Sequence, residues 1–169
     1  MRKAPTLQRA ALLLALTLVF QSLRLFIPIP PPASMFFIGS LVNGCLVLGI
    51  LAIDYRAALL IAFITPFVAY MQGQLPFFLF IFPVATGNIC FVTALYLLRH
   101  RADGIRLVIG IFVKTVILYG TFSLLFRLVN FPVSVQTAFL FAMSWPQLVT
   151  ALLGGILAFK VYKRIKILL

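Results

Sequence analysis

The sequence predicts an all-α integral membrane protein, a six-helix bundle with its N and C termini on the cytoplasmic side. Three observations carry that reading. Hydrophobic residues make up 64% of the 169-residue chain and charged ones only 9%, with a mean hydropathy of +1.20. Soluble domains are near a quarter charged, so most of this surface must face lipid. The apolar residues fall into six runs, most of them close to the roughly 20 residues a spanning helix needs. Finally, of the 14 Lys and Arg, nearly all occupy alternate gaps between the runs. Arg2, Lys3 and Arg9 precede the first run, Arg56 follows the second, Arg99, Arg101 and Arg106 follow the fourth, and Lys160, Lys163, Arg164 and Lys166 follow the last. Cytoplasmic loops collect Lys and Arg, so an even number of crossings with both ends inside is expected. Arg24, Lys114 and Arg127 do not fit the alternation.

The first span is Leu7–Ile27; Pro28, Pro30, Pro31 and Pro32 end it and stiffen the outer loop. Basic residues precede it, as in a signal peptide, but it is too long and lacks an Ala-x-Ala cleavage site. Met35–Ile53 is the second span, and Asp54-Tyr55-Arg56 makes a tight inner turn. Ala57–Met71 is the third and is short, reaching about 22 Å at 1.5 Å per residue. Gly73-Gln74-Leu75-Pro76 is the next outer turn, and Phe77–Leu98 the fourth span, with a kink expected at Pro83. Arg99–Arg106 is the longest inner connection. Leu107–Phe126 is the fifth span and carries Lys114; Val135–Phe159 is the sixth, with Pro146 inside it. The loops are short, so sequence neighbours should be antiparallel neighbours in space, and residues 1–169 read as one transmembrane domain. Asn43-Gly44-Cys45-Leu46-Val47 echoes Asn88-Ile89-Cys90-Phe91-Val92. Both a parallel duplication and chance in so apolar a chain account for that echo.

The composition excludes several functions. A net charge of +12 suggests nucleic acid, but the charges are divided among short loops and form no continuous basic face. Anionic headgroups of the bilayer are the simpler partner, and no nucleic-acid partner is expected. With only Asp54 and Asp103 as acids, one His (His100) and two separated cysteines, Cys45 and Cys90, neither a metal site, a cofactor site nor a disulfide framework is expected. Nucleotide-binding and nucleophile-elbow motifs are absent, so the chain does not read as an enzyme.

The informative residues are polar groups at membrane depth, which are costly in lipid and so face protein, water or substrate. Asn43 and Asn88 lie in the outer halves of the second and fourth spans. Gln72 and Gln74 flank the outer turn after the third span, Arg127 stands beside the turn between the fifth and sixth spans, and Gln147 follows Pro146. Together they suggest a polar pocket open to the outside. Each also has a plainer role: the amides can bridge helices, and Arg24 and Arg127 can snorkel to headgroups. Lys114 either snorkels back to the inner surface or is a buried cation, with no acid of this chain placed to pair with it. Phe36, Phe37, Phe77 and Phe78 either wall the pocket or contact lipid.

Near the inner end, Arg9-Ala10-Ala11 runs into an Ala11/Ala15 pair four residues apart, which lets another backbone approach closely. With the proline-stiffened outer loop and six short spans, this resembles a substrate-binding S component of an energy-coupling factor transporter. Gly39–Asn43, Leu60–Pro66, Gly73–Pro76, Gly87-Asn88 and Gln147–Gly155 are similar to segments of a small subgroup of that family, and the resemblance covers essentially the whole chain. It implies a membrane-embedded subunit of an ABC-type importer in a prokaryotic cytoplasmic membrane, capturing a vitamin or other micronutrient at the outer face. Its implied partners are a transmembrane coupling subunit, met through Ala11 and Ala15, and two cytoplasmic ATPase subunits that hydrolyse ATP; residues 28–33 would form a lid. On this reading Asn43, Gln72, Gln74, Asn88, Lys114, Arg127 and Gln147 hold the substrate. A stand-alone secondary transporter or channel, and a membrane assembly factor without a ligand, are the competing readings.

Overall fold

A computed structural model describes residues 3–27 and 30–168. The helices are α1 (Lys3–Phe26), α2 (Pro31–Leu48), α3 (Tyr55–Met71), α4 (Ile81–Leu97), α5 (Asp103–Leu128), α6 (Val133–Ala142) and α7 (Trp145–Leu168). A π-helical turn, Gly49–Ile53, prolongs α2, and a single 3₁₀ turn, Phe78–Phe80, leads into α4. Among the described residues there is no strand. Thr6–Phe26, Ala33–Ile53, Phe78–Leu97, Asp103–Leu128 and Val133–Lys166 are long and apolar enough to cross a membrane, and Tyr55–Met71 is the shorter sixth. The expected charge at Arg2 and the start of the expected lid at 28–33 lie outside the described residues.

Two expected features take a different form. The sixth span is broken at Met143–Ser144 into α6 and α7. Pro146 then sits in the first turn of α7, where a missing N–H costs nothing. Pro83 likewise lies in the first turn of α4 and starts that helix instead of kinking it. The third turn depends on Gly73, whose φ of 71° lies in the left-handed region that favours glycine.

The six crossings close into a ring, α1–α2–α7–α5–α4–α3, back to α1. Sequence neighbours do pack together, but α2 touches α3 only lightly and makes its main contact with α7. Glycines explain that pairing. A Cβ on Gly154 would lie 2.4 Å from the Ser40 carbonyl oxygen and 2.7 Å from the Gly44 nitrogen, so the two backbones meet there with no room for a side chain. Gly39 faces Thr150 and Gly44 faces Gly154, so α2 and α7 run in the same direction. Gly87 against Leu118, and Gly110 against Leu95, set α4 and α5 antiparallel.

These pairings bring Arg9, Arg56, Arg99, Arg101, Arg106 and the α7 cations to one end of the bundle, called here the basic end. Both acids of the chain are committed there. Asp54 caps α3 by accepting from the Ala57 N–H at 2.7 Å, and Asp103 pairs with Arg106 at 2.8 Å. The core has two parts. Toward the basic end, Leu46, Val47, Ala58, Ile61, Phe91 and Leu95 pack together. Toward the other end, Phe80 is fully buried among Phe122, Phe126, Phe131 and Phe139 at ring separations of 4.6–5.7 Å.

Candidate functional site

Between the two core clusters the ring of helices leaves a cavity of about 480 Å³. Asn43, Asn88, Lys114, Gln74 and Gln147, five of the residues expected in the pocket, line it. The α2–α7 crossing is what assembles its floor. Asn43 lies one residue before Gly44, and the close approach lets its Nδ2 donate to Thr150 Oγ1 at 3.2 Å. Thr150 in turn donates to the Gln147 carbonyl at 3.2 Å. With its NH₂ directed to Thr150, the Asn43 amide turns Oδ1 toward α5, where Lys114 Nζ donates to it at 2.5 Å.

Lys114 is thus a buried cation, 4% exposed, and not a snorkelling one. Its ammonium also faces the Phe91 ring at 5.4 Å. It stands about 16 Å along α5 from Asp103 and about 21 Å from Leu128, near mid-helix. Its neighbours at helical spacing, Ile111, Leu118 and Phe122, are buried too, which marks this as the inward face of α5. Asn88 is also buried and lines the cavity, but its amide makes no hydrogen bond to the described residues.

The second polar group of the cavity lies toward the end opposite the basic one. Gln21 Nε2 donates to the Thr65 carbonyl at 3.0 Å, leaving its Oε1 buried without a partner among the described residues. Arg24, one turn further along α1, lines the cavity, and its Nε is also buried without such a partner. Gln74 Nε2 donates to the Gln21 carbonyl at 3.2 Å and to Gln72 Oε1 at 2.8 Å, and Gln72 Nε2 donates to Ser22 Oγ at 2.8 Å. Gln72 therefore stands behind the cavity wall and ties the turn after α3 to α1. Ile38, Val42, Leu75, Val84 and Met143 supply the apolar surface between the two polar groups.

Arg127 is not brought to the cavity and is exposed at the end of α5. It lies 13 residues from Lys114, which turns it about 140° away around the helix. Phe37, Phe77 and Phe78 are exposed and do not line the cavity; neither does Phe36, which packs on Trp145 at 5.8 Å. Gln21, Thr65 and Thr150 were not among the expected site residues. The sequence signal for Gln21 was its spacing from Arg24, which puts both on one face of α1. Ala11 and Ala15 are exposed on the side of α1 that carries Leu12, Leu16 and Val19, away from Ala10, Thr17 and Gln21, which face the bundle.

A family model described as "ECF transporter, substrate-specific component" matches residues 6–165, nearly the whole chain. No curated protein and no solved structure matches the sequence.

Proposed function

The chain belongs to the substrate-specific components of ECF transporters, and from that premise we propose that it captures a vitamin or other small micronutrient in the cavity inside the ring of helices for ATP-driven uptake by partner subunits. The observation that carries this reading is the hydrogen-bonded set Lys114–Asn43–Thr150, buried at mid-helix yet lining a cavity large enough for a small molecule. A bundle that needed its amides only to bridge helices would not leave Asn88 and Gln21 Oε1 without partners among the described residues beside such a space. Pockets of a few hundred Å³ with apolar walls and a few convergent polar groups are what small-molecule sites look like.

On this reading the basic end is cytoplasmic and the Arg24 end of the cavity faces outside. Gln74, Asn88, Gln147 and Lys114 contact substrate directly, Gln72 braces Gln74, and Arg127 lies at the outer surface near headgroups. The exposed α1 face around Ala11 and Ala15 docks on a transmembrane coupling subunit that works with two cytoplasmic ATPases. Small side chains there let the partner helix approach closely. A stand-alone transporter has less support: no acid lies near the cavity to couple substrate movement to protons.

The test is a double substitution, Ala11→Trp with Ala15→Trp. The expected outcome is loss of ATP-dependent uptake in cells carrying the coupling subunits, with ligand binding by the purified chain intact. Unchanged uptake would overturn the docking assignment, and uptake without any ATPase partner would favour a stand-alone transporter.

A further inference from the structure

We propose that the ligand of this cavity is a small organic anion, with its carboxylate or phosphate seated on Lys114 and its remaining length directed toward Arg24. The inference rests on the substrate-binding reading above and adds to it the chemical class of the substrate.

A census of charge carries the argument. Two cations line the cavity and no carboxylate does. The chain has only two acids. Asp54 is held by the Ala57 N–H, and Asp103 by Arg106, both at the basic end. The contacts of Lys114 are neutral: one of its three donors goes to Asn43 Oδ1, and the Phe91 ring faces it at 5.4 Å. An ammonium taken out of water without an anion is among the costliest groups a protein can hold. A neutral ligand leaves that cost in place, and a cationic one adds to it. An anion removes it and accepts a charge-assisted hydrogen bond from Lys114.

The rest of the cavity describes the rest of the molecule. Ile38, Val42, Leu75 and Met143 call for an apolar or aromatic body. At the far end Gln21 Oε1 is a buried acceptor with no partner among the described residues, beside Arg24, so a ligand N–H or O–H satisfies it. A space of about 480 Å³ falls in the range of small-molecule pockets, which sets the scale at one or two rings with their substituents.

The experiment is thermal unfolding of the purified full chain in detergent with three probes: 2-naphthoate, 2-naphthyl phosphate and neutral 2-naphthamide. At about ten times the dissociation constant an anion should raise the unfolding midpoint by about 3–6 °C, while the amide should not. Whichever anion gives the larger shift identifies the headgroup as carboxylate or phosphate. Lys114→Met should abolish the shift. Because that variant can also disturb the fold, Asn43→Asp is the second. It places a carboxylate beside Lys114 Nζ, should unfold at or above the wild-type temperature without ligand, and should lose at least tenfold in anion affinity. A shift from 2-naphthamide equal to that of the anions overturns the proposal. So does an Asn43→Asp chain that still answers to anions, or a wild-type chain that answers to neither. Each of these results leaves the transporter-subunit reading standing, since the Ala11/Ala15 uptake experiment makes no reference to ligand charge.

Discussion

Replacing Gly154 by alanine tests whether the α2–α7 crossing builds the site. The added methyl would lie 2.4 Å from the Ser40 carbonyl oxygen, 2.7 Å from the Gly44 nitrogen and 2.9 Å from Asn43 Cβ. The two closest atoms are backbone, so no rotamer change relieves the clash. The helices must separate by roughly 1 Å to reach ordinary van der Waals distance. Overpacking of this kind costs about 1–3 kcal/mol. The Asn43–Thr150 hydrogen bond, already 3.2 Å long, does not survive that separation, which adds about 0.5–1.5 kcal/mol. The total of about 1.5–4.5 kcal/mol lowers the unfolding midpoint by roughly 3–18 °C for a chain of this size. The assay is thermal unfolding in detergent together with ligand affinity, which falls as well because Asn43 no longer orients Lys114. Gly120→Ala is the control: a Cβ there meets nothing within 4 Å on an exposed stretch of α5, so it should leave stability equal or slightly raised. A Gly154→Ala chain that unfolds with the wild type and binds ligand equally would refute the reasoning.

Substitutions at two further positions separate binding from folding. Asn88→Ala should leave the unfolding midpoint within about 2 °C of wild type, because the Asn88 amide has no hydrogen-bond partner among the described residues, while ligand affinity falls by roughly tenfold for one lost hydrogen bond; a large drop in stability instead would make it a helix bridge. Asp54→Ala removes the carboxylate that caps α3 at the Ala57 N–H and should cost about 0.5–2 kcal/mol, seen as a lower midpoint with affinity unchanged, and Asp54→Asn should restore most of it.

The span pattern was legible because lipid imposes a strong one-dimensional constraint: apolar length and alternating Lys and Arg place five of the six crossings with small differences at their ends. The break at Met143–Ser144 was not, since α6 is as apolar as a continuous span and only Pro146 hinted at a new helix start. In the site, the depth of Lys114 and the lack of a nearby acid could be read from residue order. Its partner could not, because Asn43 reaches it only through the α2–α7 crossing, which joins segments more than a hundred residues apart. Gly44 and the Gly154-Gly155 pair were visible in the sequence, but nothing in a linear pattern says which glycines face each other. Arg127 was drawn in by its nearness to the outer turn; its angle around α5 relative to Lys114 takes it away from the cavity. Arg24 went the other way, standing where a snorkelling anchor would stand yet facing inward with Gln21.

The most direct test of the account is to purify the tagged chain from its own membranes in mild detergent and identify by mass spectrometry every protein and small molecule that accompanies it. The account predicts a membrane-embedded coupling subunit, ATPase subunits and one tightly held small anion, the anion lost in Lys114→Met and the subunits lost in the Ala11→Trp, Ala15→Trp chain. A chain that emerges alone and empty, with and without those substitutions, would contradict it.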